Sequence, residues 1–142
     1  MSDNENTLGS IFDFSEDISQ QEAPPPLPVG NYLATVTAAE AKVSKNSGNT
    51  YADISFSIAP DQFAPDFAAV QQDAVVLHHR TLVIKDDARS RWAIRRFCEA
   101  LRVPVNRQLD LNSFIGKPAM LKIKHSEYQG QKRADIEAVE AA

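Results

Sequence analysis

Cysteine occurs once in this 142-residue chain, at Cys98, which excludes an intramolecular disulfide and any cysteine-rich metal cluster. A reducing, cytoplasmic setting is the expectation that follows. No apolar run approaches the length of a membrane span, and the first residues lack the basic start and apolar core of a signal peptide. The chain therefore reads as soluble, with no membrane partner. Histidine is scarce too. His78 and His79 are neighbours on an expected strand and so point to opposite faces, and His125 is the only other one, too few to assemble a zinc site. The five glycines form no phosphate-cradling loop, and neither a nucleophile elbow nor metal-ligand spacing occurs. No catalytic residue, metal or cofactor is expected, and an enzyme is the weakest of the function classes. Scattered acids such as Asp53 and Asp135 read as solvated strand residues.

Positive charge is absent from residues 1–27, which carry Asp3, Glu5, Asp13, Glu16, Asp17 and Glu22, a charge of -6. The net -4 of the whole chain therefore hides a body of charge +2. Its basic residues cluster: eight against three acids from Arg80 to Arg107, and five against one from Lys117 to Arg133. Residues 1–27, which include Pro24-Pro25-Pro26, lack sustained periodicity and read as a disordered acidic tail. Within that tail Ile11-Phe12-Asp13-Phe14 is an apolar patch, and Phe12 and Phe14 are candidate partner-docking residues.

The body, residues 28–142, is organised around Pro28 to Ile58, two alternating segments joined by the turn-forming Lys45-Asn46-Ser47-Gly48-Asn49. Tyr32, Ala34 and Val36 share one face of the first strand, and Ala52, Ile54, Phe56 and Ile58 the inner face of the second. Ala59 to Ala74 reads as an irregular connection, with Phe63 and Phe67 pinning it to the core. Val75 to Ile84 is a third strand. Asp86-Asp87 then caps a helix to about Val103, whose apolar stripe is Ile94, Phe97, Cys98 and Leu101, with Pro104 beyond it. Cys98 in that stripe reads as a small core residue. Trp92 falls off the stripe among Arg89, Arg95 and Arg96, either packed on a loop or exposed as a stacking residue. Lys117 to His125 is a fourth strand with a basic outer face, Ser126 to Gln131 a turn, and Lys132 to Val139 a fifth strand with Ala134, Ile136 and Ala138 inward.

Three strands, one helix and two strands is the order of a five-stranded OB-fold barrel, so the expected class is mainly β, with the helix between strands three and four. Such barrels bind single strands across strands two and three, between the loops joining strands one to two and four to five. The candidate nucleic-acid-binding residues are accordingly Lys42, Lys45, Arg80, Lys122, Lys124, Lys132 and Arg133 for phosphates, and Tyr51 and Tyr128 for bases, the two tyrosines sharing one trough. Arg89, Trp92 and Arg96 form a secondary candidate set. The alternative class is a non-enzymatic protein-interaction or virion-associated β-barrel, with Trp92 as a subunit contact.

The stretches FDF, LPVGNYLATV, EAKVSKNSGNTY with the later FSI, IRRFCEALRV and FIGKPAMLKIK together resemble, in order and spacing, small phage-encoded single-stranded DNA-binding proteins. The resemblance spans roughly residues 12 to 139. It implies a cofactor-free OB-fold protein that coats single-stranded DNA in phage DNA replication or recombination within the host cytoplasm. Phage or host replication and recombination proteins would dock on the acidic N-terminal tail. Three departures stand out: the longer loop around Phe63 and Phe67, Arg102 where a glycine is expected, and a C-terminus, AVEAA, without the acidic, aromatic-ended tail of bacterial relatives.

Overall fold

The computed structural model describes residues 9–142. Asp3 and Glu5 of the expected tail lie outside them. From residue 9 to 26 the one regular element is a 3-10 turn, Ile18–Gln20, opened by Asp17, whose carboxylate accepts from Ser19 N at 3.0 Å. The packed body begins at Leu27, which is buried and whose carbonyl lies 2.8 Å from His125 Nε2.

Strand β1, Gly30–Val43, is the axis of the molecule. Its first half pairs with β4, Pro118–Tyr128, and its second half with β2, Thr50–Ile58, both antiparallel. β2 pairs in turn with β3, Val75–Val83, and β4 with β5, Gln131–Glu140, which gives one five-stranded antiparallel sheet in the order β3-β2-β1-β4-β5. Among the described residues no hydrogen-bonded ladder joins β3 to β5, so the sheet is open where a closed barrel was expected.

Three irregularities decide which side chains face the core. In β1, Thr37 is an extra residue between the pairs Val36–Phe56 and Ala38–Ser55. Such a bulge shifts the alternation by one position. Tyr32, Ala34 and Val36 are therefore buried, whereas after the bulge Ala39 packs on the core and Glu40 and Lys42 face outward. In β3, Arg80 and Thr81 together oppose Asp53. In β5, Glu137 is the extra residue, so Val139 turns inward and Ala138, expected inside, pairs with the outward Lys122.

The core is built from Ile54, Phe56 and Ile58 of β2, Leu121 and Ile123 of β4, and Phe114 from a 3-10 turn, Leu111–Phe114. Helix α2, Ala88–Ala100, adds Phe97 and Cys98, with Asp87 capping Ser90 N at 2.8 Å. The connection 59–74 is more ordered than its sequence suggests. Pro60 opens a 3-10 turn and Pro65 a short helix α1, Pro65–Ala68, since proline at the first helical position has its fixed φ in place and needs no N–H donor. The described residues thus hold two α-helices where one was expected. Phe63 and Phe67 are buried edge to face, centroids 5.0 Å apart, and do pin this segment to the core.

The turn between β4 and β5 is shorter than expected. Tyr128 belongs to β4, paired with Gln131, and the turn is Gln129-Gly130 with φ of 52° and 79°. Two positive φ values match the right-handed twist of the flanking strands, which lets the ladder run to its tip.

Candidate nucleic-acid interface

The outer face of β2 presents Tyr51, Asp53, Ser55 and Ser57. Asp53 is the surprise among them, because it is only 3% exposed, against the expectation of a solvated strand residue. Lys42 Nζ stands 2.8 Å from its Oδ2, Arg80 Nε 3.3 Å from the same oxygen, and His78 Nδ1 3.1 Å from Oδ1. Burial opposes ionisation of the Asp53 carboxyl, but the hydrogen bonds from Lys42, His78 and Arg80 and the Arg80 charge outweigh it and bring the pKa to about 2. The same contact, together with Glu40 at 3.4 Å, raises the pKa of Lys42. Both bulges are needed for this hub, one to turn Lys42 outward and one to set Arg80 against Asp53.

Above the hub the β1–β2 hairpin and β3 enclose a cleft of about 690 Å³, lined by Lys42, Lys45, Tyr51, Arg80 and Val83 with Ser44 and Asn49. The hairpin closes on itself through Ser44 N to Asn49 O at 2.8 Å and Gly48 N to Ser44 O at 2.9 Å, with Gly48 at φ 75°. Four of the sequence-predicted residues, Lys42, Lys45, Tyr51 and Arg80, thus meet in one cleft. Lys45 has no carboxylate partner among the described residues, and Tyr51 is half-buried between its ladder partners, Lys42 on β1 and Val83 on β3.

The remaining five do not join them. Tyr128 is absent from the cleft lining and stands at the tip of the β4–β5 hairpin. Along β1 the two tyrosines lie at opposite ends. Tyr51 is opposite Lys42 near the C-terminal end, while Tyr128 is beyond Ile123, which is opposite Gly30. In place of one shared trough there are two aromatic-basic clusters. In the second, Arg133 sits 5.0 Å from the Tyr128 ring centroid. Two of the acids near its basic residues, Asp135 and Glu137 on β5, lie outside the 117–133 window of the charge count. Lys122 pairs with Glu137 at 3.3 Å, Arg133 stands 4.0 Å from Asp135, Lys124 is opposite Asp135, and Lys132 is opposite Glu127. Ser126 Oγ also donates to Asp135.

Trp92 is 59% exposed on α2 with the Arg96 guanidinium 5.0 Å from its ring centroid, so it is not packed under a loop. Arg89 is exposed on the same helix. Phe12 and Phe14 are exposed as well, 62% and 66%, beside Ile11 at 87%. Sequence reasoning missed Asp53 and His78 as members of the site. No signal within β2 distinguishes Asp53 from its solvated neighbours, since its partners come from β1 and β3.

Fold and site together define a small antiparallel β protein whose outer face carries a tyrosine between cations. Among the described residues no group of three or more His, Cys, Asp or Glu could hold a metal ion, and no helix is long and apolar enough to cross a membrane. The chain belongs to the family described as Protein of unknown function (DUF669), which it matches over residues 12–142. No curated protein matches it.

Proposed function

We propose that this protein binds single-stranded DNA without strong sequence preference and coats it during phage DNA replication or recombination. The observation that carries this reading is the cleft in which Tyr51 lies between Lys42, Lys45 and Arg80. A base stacks on the Tyr51 ring, an interaction worth roughly 1–3 kcal/mol and indifferent to base identity. Lys45 and the outer nitrogens of Arg80 meet the flanking phosphates. Asp53 takes no part in contact and instead holds Lys42 and Arg80 in place from below, so that little side-chain entropy is lost on binding. The Tyr128–Arg133 pair offers a second stacking platform at the other hairpin.

The strand order supports an OB-type arrangement. β3 and β5 are the two edges of the sheet and yet have residues within 8 Å of each other, as the edges of a partly open five-stranded barrel would. Exposed Ile11, Phe12 and Phe14 within an acidic segment support a second role, the docking of a phage or host replication or recombination protein on the N-terminal tail.

Fluorescence anisotropy of a labelled oligothymidine titrated with the full chain tests the proposal. Binding at low salt that weakens steadily as salt rises, through counterion release, is expected. Absence of binding at low salt would leave the protein-interaction role as the better reading.

A further inference from the structure

On α2 the four arginines divide. Arg91 is neutralised by Asp86 at 2.6 Å and Arg95 by Glu99 at 3.2 Å. Arg89 and Arg96 have no carboxylate partner among the described residues, and with Trp92 they follow a spacing of three and four, one stripe of the helix. The stripe overlooks a second cavity of about 640 Å³ between α2, β3 and the end of β5, lined by His79, Thr81, Trp92, Arg96 and Glu140 among others. His79 Nδ1 is the one buried side-chain polar atom without a hydrogen-bond partner among the described residues. Its ring rests on Phe97, centroids 4.9 Å apart, and its Nε2 is 3.3 Å from Thr81 Oγ1. Burying a nitrogen that could bond costs free energy, so the His79 ring is held under α2 at a cost.

This cavity and the Tyr51 cleft lie on the two faces of one strand. Thr81 lines the cavity and Arg80 the cleft, neighbours at the β3 bulge. β3 pairs only with β2, so its other edge carries no ladder, and β5 approaches it along only part of its length. We propose that the Arg89-Trp92-Arg96 face of α2, with the cavity beneath it, is a second stacking subsite for the same DNA strand, which passes from the Tyr51 cleft over the free edge of β3. A base lies on the exposed indole face, and the phosphates run along Arg89 and Arg96. Glu140, in the same lining and without a cationic partner among the described residues, keeps the backbone off that end. The inference rests on the proposed DNA-binding function and extends it from one cleft to a continuous path.

Trp92 is the only tryptophan of the chain, so its emission reports on this subsite alone. The full chain is titrated with oligothymidine while anisotropy of a labelled oligonucleotide and tryptophan emission are followed in parallel. Quenching that saturates with the anisotropy is expected, as is a 5- to 150-fold weaker affinity for W92A, roughly what one stacked base is worth. Because the indole is exposed, W92A should unfold at the same urea concentration as the wild type. R89A/R96A should lower the salt dependence of binding by about two phosphate contacts. Binding by anisotropy with unchanged emission, and with W92A as tight as the wild type, overturns the subsite and leaves the Tyr51 cleft standing. A chain that binds no oligonucleotide at all fails both.

Discussion

Lys42 Nζ and Asp53 Oδ2 are 2.8 Å apart, joined across the β1–β2 ladder although their register partners are Tyr51 and Glu40. This diagonal contact, shared by Arg80 and His78, makes one buried carboxylate the fixed point beneath the candidate binding cleft.

Asp53 should therefore show itself in the acid limb of stability. Its folded pKa of about 2 lies below the ordinary 3.8, so its ionised form stabilises the protein above that ordinary value, and the gain disappears as pH falls from about 4 toward 2. The shift corresponds to about 2 kcal/mol. Urea midpoints of wild type and D53N from neutral pH down to pH near 2 should converge at the acid end. A constant gap between them would mean that Asp53 does not titrate over this range.

Replacing Arg102 with glycine should stabilise the fold. Helix α2 ends in a Schellman motif, with Val103 N donating to Cys98 O at 2.9 Å and Arg102 N to Glu99 O at 3.1 Å, which forces Arg102 to φ 58°. A side chain in the left-handed region costs about 1 kcal/mol relative to glycine. Against this stands an exposed hydrogen bond from the Arg102 guanidinium to Ala142 O at 2.8 Å. R102G should raise the melting temperature by a few degrees, and R102V should lower it.

Within the cleft, Y51A and K45A should separate stacking from charge. Y51A should weaken oligothymidine binding by roughly 1–3 kcal/mol at every salt concentration. K45A should bind more weakly at low salt and reduce the salt slope by about one phosphate contact. Equal salt slopes for K45A and wild type would remove Lys45 from the interface.

The acidic tail should compete with DNA for the same cations. Its charge of -6 adjoins a body of +2. Deleting residues 1–26, which keeps the buried Leu27 in place, should tighten binding at low salt, with the difference vanishing as salt rises. Identical dissociation constants at low salt would show that the tail does not reach the site.

Much of the architecture was legible in the sequence. Alternation in 30–36, 50–58 and 118–123 marked three strands because each has one buried face, and Asp87, the Ile94-Phe97-Cys98-Leu101 stripe and Pro104 bounded α2 within a few residues. The Gly48 turn was visible for the same local reason, whereas Arg102, which has a positive φ, was marked only by the resemblance, as standing where a glycine is expected. The charge count over 117–133 misled because pairing across a ladder brings in residues from outside any window, here Asp135 and Glu137.

What the chain determined by itself is everything set by near neighbours: the strands, the cap, the turns and a surplus of cations along 80–107. What only the tertiary structure decided is where the cations of the site point. One unpaired residue, Thr37, reverses the alternation of β1 and sends Lys42 outward, and a doubled position at Arg80-Thr81 brings Arg80 over Asp53. A bulge is a property of two strands in register, fixed by how their buried faces match, and so it has no signature in either strand alone.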